Sequence, residues 1–114
     1  MTRTMTSPQV PQFPGVSLFW EMSGHDMLTI AMRAPSAYAR KFPMPGDMLY
    51  QFLMAVQSRG IDVEHTEQVR VTFNNHENTF LIRWSGRVLQ NPELVHDVVP
   101  ALSRELGIKA LGDG

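Results

Sequence analysis

The chain reads as an α+β domain, a two-layer sandwich in which two β-hairpins make one antiparallel sheet and two helices cover one face. Three observations predict it. Apolar and polar residues alternate with period two over 16–33 and again over 69–85, each time interrupted by a short polar turn. A segment with helical spacing and marked ends follows each hairpin, at 47–60 and at 92–106. The order is therefore ββα-ββα. The halves also share a His-acid pair at the hairpin tip (His25-Asp26, His76-Glu77) and a Gly-Ile step after the helix (Gly60-Ile61, Gly107-Ile108). Little else is identical, so the repeat is one of structure rather than of sequence.

Residues 1–15 are expected to form an extended N-terminal arm, because Pro8, Pro11 and Pro14 among threonines and serine build neither a helix nor a central strand. The domain proper spans 16–107. In its first strand Val16, Leu18, Trp20 and Met22 alternate with Ser17, Phe19 and Glu21. Ser23-Gly24-His25-Asp26 supplies the turn, with Gly24 suited to positive φ. The return strand sets Leu28, Ile30 and Met32 on one face and Met27, Thr29, Ala31 and Arg33 on the other. Residues 34–46 form a connection bracketed by Pro35, Pro43 and Pro45, with a single turn capped by Ser36.

The helix at 47–60 is apolar on more than one side. Asp47 suits its N-cap and Gly60 its left-handed C-terminal residue. Leu49, Phe52, Leu53 and Val56 make the usual stripe, and Met48, Tyr50, Met54 and Ala55 extend apolar character to other faces. Such a helix needs a cover besides its own sheet. Residues 61–65 offer a short extra edge strand, raising the strand count from four to five. In the second hairpin Val69, Val71 and Phe73, then Phe80, Ile82 and Trp84, are expected to face the core. Arg70, Thr72, Leu81, Arg83 and Ser85 point the other way, around a turn at 74–78. The last helix takes Asn91 as N-cap, Pro92 as its first residue and Gly107 as its stop, with Pro100 inside it. Residues 108–114 read as a weakly ordered C-terminal tail.

Composition narrows the function. With 114 residues the chain is long enough for one domain. It has no cysteine, which excludes disulfides, thiolate metal sites and cysteine nucleophiles. Ten basic and 11 acidic residues leave a net charge of −1, without the basic excess of a dedicated nucleic-acid protein. No run of apolar residues is long enough to span a membrane, and the Pro-rich start lacks the apolar core of a secretory signal. A cytoplasmic location is expected.

The chemistry-bearing residues sit in no diagnostic spacing. His25, His65, His76 and His96 include no His-Glu-x-x-His pattern, so neither a metal nor another cofactor is expected. Ser85-Gly86 lacks a nucleophile elbow, His96-Asp97 diverge on a helix, and no glycine-rich phosphate loop exists, so no catalytic residue is expected. The expected function is a non-enzymatic protein-interaction or assembly subunit: a homo-oligomer, a component of a larger particle of bacterial or phage type, or a small inhibitor docking on a target. Four features point there: the multiply apolar helix, eight methionines, the Pro-rich arm and an uncovered sheet face. The interface candidates are Tyr38, Met48, Tyr50 and Met54 on the helical side, and Phe19, Arg33, Arg70 and Arg83 on the open sheet face. Aromatics with arginines are the composition favoured at contacts. The alternatives are a nucleic-acid module using the open sheet face, with Arg87 and Arg40-Lys41 contributing, and a small enzyme or metal-binding protein using the tip histidines.

Overall fold

The computed structural model describes residues 13–40, 44, 46–64 and 69–111. The Pro-rich arm up to residue 12, Lys41, His65 and the last three residues lie outside them. The order of elements is β1 (Ser17–Ser23), β2 (Met27–Pro35), a 3-10 turn (Ser36–Arg40), α1 (Gly46–Ser58), β3 (Arg70–Asn74), β4 (Thr79–Arg87), a second 3-10 turn (Pro92–Leu94), α2 (Val95–Glu105) and β5 (Lys109–Leu111). The fold is α+β, with one five-stranded sheet in the order β3-β4-β2-β1-β5.

The two hairpins meet along β2 and β4. These nine-residue strands pair antiparallel from Met27 opposite Arg87 to Pro35 opposite Thr79. That register aligns Leu28, Ile30 and Met32 with Gly86, Trp84 and Ile82, all buried. The cross-strand rows continue into β1, where Leu18 and Trp20 lie beside Met32 and Ile30. The same cluster takes in Leu49, Phe52, Leu53 and Val56 of α1 and Val95, Val99 and Leu102 of α2. Gly86 is small for a reason of packing. A Cβ there would stand 2.9 Å from Cη2 of Trp84 and closer still to Cζ2, so the indole needs the bare backbone to lie flat on β4.

The sheet is mixed, which corrects the all-antiparallel expectation. β5 runs parallel to β1, with Ser17 beside Lys109 and Phe19 beside Leu111. Parallel neighbours need a long crossover, and here the chain between β1 and β5 provides it. The turn that starts β5 is a Schellman motif. Gly107 adopts φ 74, its N–H donates to the Arg104 carbonyl at 3.1 Å, and Ile108 N–H donates to the Ser103 carbonyl at 2.8 Å. Ile108 is thereby buried, and Lys109 N–H reaches the Val16 carbonyl at 3.0 Å. Part of the expected tail is thus the fifth strand. The described part of 61–65, residues 61–64, does not supply it and forms an isolated bridge, Val63 to Val88.

Both helix starts differ from the sequence reading. α1 begins at Gly46, so Asp47 lies in the first turn rather than at the N-cap. Its carboxylate still sits where the helix dipole favours negative charge. Asn91 has a left-handed backbone and makes no side-chain cap. Its Nδ2 instead donates to the carbonyl of Gly60 at 2.7 Å, tying the approach to α2 to the end of α1. Arg59 Nη2 donates to both carboxylate oxygens of Glu105 at 2.9 Å and joins the two helix C-termini.

The residues entering β1 belong to the domain. Phe13 N–H donates to the Leu106 carbonyl at 3.0 Å. Its ring lies 6.0 Å from that of Tyr38, whose hydroxyl donates to the Pro14 carbonyl at 2.8 Å. Desolvation of that hydroxyl raises the Tyr38 pKa above the ordinary 10.0.

Two outcomes follow from this packing. Gly86→Ala forces the Trp84 ring aside and is expected to cost about 1–3 kcal/mol, measured by urea unfolding. Because the folded-state pKa of Tyr38 is raised, its contribution is whole below the unfolded value and is lost as pH rises from there through the folded pKa. Stability is thus expected to fall above about pH 10. Tyr38→Phe is expected to lose about 1 kcal/mol at neutral pH and to show a shallower alkaline decline, followed by thermal melts across the pH series.

Candidate interaction surfaces

The open face of the sheet follows directly from alternation along its strands. Pairing sets Arg70, Arg83, Ala31, Phe19 and Leu111 in one row across all five strands. The adjacent row is Thr72, Leu81, Arg33, Ser17 and Lys109. On the other flank Ser85, Thr29 and Glu21 make a shorter row. Phe19, Arg33, Arg70 and Arg83, four of the sequence candidates, therefore share one face.

The charges on this face are not uniformly paired. Arg33 lies 3.6 Å from Glu77, and Arg87 lies 3.2 Å from Asp26. Both acids come from hairpin tips, so each tip carboxylate pairs with a sheet arginine. Arg70 and Arg83 are directly opposite one another on β3 and β4. Among the described residues neither has an acidic partner. Beside them the Thr29 and Ser85 hydroxyls share a hydrogen bond of 2.8 Å. These four side chains, with Trp84, line a depression of about 340 Å³.

A second surface lies on the other side of β3. Val71 pairs with buried Ile82 and Phe73 with half-buried Phe80, so Val71 and Phe73 point to the core side as the sequence predicts. Yet each is 43% exposed, and every residue of β3 is open to solvent. This corrects their assignment to the core. β3 is the outermost strand; the start of α1 reaches it, with Gly46 close to Val69 and Val71, and still leaves Val71 and Phe73 half open. The Phe73 and Phe80 rings lie 5.1 Å apart, tilted by 54°, and Phe73 is still 43% exposed.

The helical candidates divide. Tyr50 and Met54 are 39% and 68% exposed on α1. Met48 and Tyr38 are 3% and 8% exposed and belong to the core, although Tyr38 also lines a shallow surface depression with Pro14, Pro35 and Ala37. Met48 lies on the helix side that carries Leu49 and Phe52 inward, and Tyr38 is held under Pro14. The alternation of apolar residues around α1 thus leaves one apolar face outward rather than two.

The tip histidines do not converge. His25 lies in the turn at the Met27–Arg87 end of the β2/β4 ladder, and His76 in the turn at the Pro35–Thr79 end. Both are exposed. The length of β2 separates those ends by about 27 Å. Among the described residues no group of three His, Asp or Glu side chains is arranged to hold a metal ion. His96 packs edge-on to Trp20, 5.3 Å away. Also among the described residues, no helix is long and apolar enough to cross a membrane.

Comparison with protein-family models, with curated proteins and with solved structures returns no match to this chain.

Like charges directly opposite in a sheet are destabilising. Arg70→Glu places a carboxylate across from Arg83 and is expected to raise stability by about 0.5 kcal/mol, read from the urea midpoint at low salt. The gain is expected to shrink in high salt.

Proposed function

We propose that the chain is a non-enzymatic protein-interaction or assembly subunit that docks through the β3 edge. The observation that carries this reading is β3 itself. Its strand is exposed at all five positions, with Val71 and Phe73 directed to the core side and 43% exposed. An outer strand offers unpaired N–H and C=O groups to an incoming strand. Tyr50 and Met54 add apolar surface on α1. Aromatic residues and methionine are favoured at protein contacts.

The proposed layering, a two-layer ββα-ββα sandwich, is in keeping with this open edge. α2 leads into β5 through the Gly107 turn and belongs at that end of the sheet, whereas at the other end α1 meets β3 at Gly46 and leaves Phe73 43% exposed. The partner is a protein, either a second copy or a foreign chain, and the setting is cytoplasmic.

Nucleic-acid binding through the open sheet face is the second reading. Arg33, Arg70, Arg83, Arg87 and Lys109 share that face with Glu21, and Glu77 and Asp26 reach it from the hairpin tips to pair with Arg33 and Arg87. Among the described residues Phe19 is the one aromatic on that face for stacking, where sheet-type RNA readers use two or three. The protein reading is therefore the stronger.

Light scattering on the wild-type chain and on Phe73→Lys tests the proposal. The expected result is a wild-type mass at a multiple of 12.9 kDa that drops toward 12.9 kDa in the variant, with the circular dichroism spectrum unchanged. Two unchanging monomers exclude self-assembly and leave only a foreign protein for the edge. An oligomer indifferent to Phe73→Lys overturns the β3 assignment.

A further inference from the structure

We infer that Arg70 and Arg83, with the hydroxyls of Thr29 and Ser85, form a binding site for the phosphate group of a small phosphate monoester. The argument begins with charge. The chain has 11 acidic residues for 10 basic ones, so composition does not force two arginines together. The fold pairs the flanking arginines, Arg33 with Glu77 and Arg87 with Asp26. It leaves the central two facing each other, a juxtaposition that costs stability unless an anion occupies it.

Shape gives the anion's size. The depression these residues line, about 340 Å³, is at the lower end of small-ligand pockets. Ala31 stands next to Arg83 in the same row and keeps that side of the depression low. Chemistry then gives the class. A guanidinium presents a planar fork of donors that matches phosphate oxygens in pairs. Two guanidiniums balance a dianion, which a phosphate monoester carries near neutral pH. A carboxylate or a phosphodiester carries one charge and leaves one arginine unbalanced. The hydroxyls of Thr29 and Ser85, hydrogen-bonded to each other at 2.8 Å, add donor and acceptor capacity beside the two arginines. Along the row, past Ala31, Phe19 lies two strands from Arg83, about 10 Å away. It is 42% exposed and offers an apolar platform for the organic part of the ligand.

The probes are inorganic phosphate and phenyl phosphate, titrated into labelled protein and followed by NMR at the arginine Nε–H groups and the Thr29 and Ser85 amides. Saturable shifts confined to Arg70, Arg83, Thr29 and Ser85 are expected, with phenyl phosphate binding several-fold more tightly. Arg83→Gln and Arg70→Gln are each expected to weaken binding by about ten-fold. Arg83→Lys keeps the charge and is expected to weaken it less. Arg87→Gln is expected to leave it unchanged. Three results overturn the site: shifts that chloride reproduces at equal ionic strength, equal losses in Arg87→Gln and Arg83→Gln, or an octa-uridine that binds more tightly than phenyl phosphate and depends on all the open-face cations alike. The last identifies a nucleic-acid surface. Arg83→Gln is expected to keep the wild-type light-scattering mass, so failure of the phosphate site and failure of the β3 edge are read separately.

Discussion

The antiparallel seam between β2 and β4 is the constraint on which the rest of the molecule depends. It joins two hairpins that could not each bury an apolar face alone. Its register places Leu28, Ile30 and Met32 beside Gly86, Trp84 and Ile82 and sends Thr29, Ala31 and Arg33 outward beside Ser85, Arg83 and Leu81. A slip of one residue exchanges the two sets, burying arginines and exposing the core. Trp84 shows how narrow the tolerance is, since its ring occupies the space a side chain at position 86 would need. Everything else attaches to this seam: β1 on one side, β3 on the other, and both helices through residues of the same buried cluster.

The two ends of the sheet differ in how they are finished. At the β1 side, α2 ends in the Gly107 turn, buries Ile108 and lays down β5, so that edge is extended by the chain's own continuation. Phe13 and Pro14 close the same region through Leu106 and Tyr38. At the β4 side the sheet stops at β3, and no comparable closure exists among the described residues. The asymmetry makes one edge part of the fold and the other an available surface. A short edge strand that leaves Val71 and Phe73 of its core side half open is a liability unless something uses it.

The open face carries a different kind of asymmetry. The hairpin tips reach back to neutralise Arg33 and Arg87, and their acids serve that purpose rather than assembling with His25 and His76. Between these paired positions Arg70 and Arg83 remain opposed. Protein docking at the edge and anion binding on the face use different sides of β3 and β4, so the two proposals are physically independent.

Much of this was legible in the residues. Period-two alternation located both hairpins and sorted Phe19, Arg33, Arg70 and Arg83 to a common face, because side chains alternate regardless of what covers them. Apolar spacing and Gly60 located the first helix, and Gly107 marked the end of the second. Tertiary structure alone decided which apolar residues are covered. Val71 and Phe73 have the same local pattern as Ile82 and Trp84 and differ only in being on the outer strand. Met48 and Met54 are equally apolar, but one faces the sheet and the other water. Asn91 has the chemistry of a cap, yet the Gly60 carbonyl 31 residues away claimed its amide. Lys109–Leu111 carries no strand signal and pairs because the Gly107 turn delivers it to the edge of β1. Local sequence determines dihedral preference and alternation. Burial, partner choice and strand order depend on contacts between distant residues, which only the assembled chain brings together.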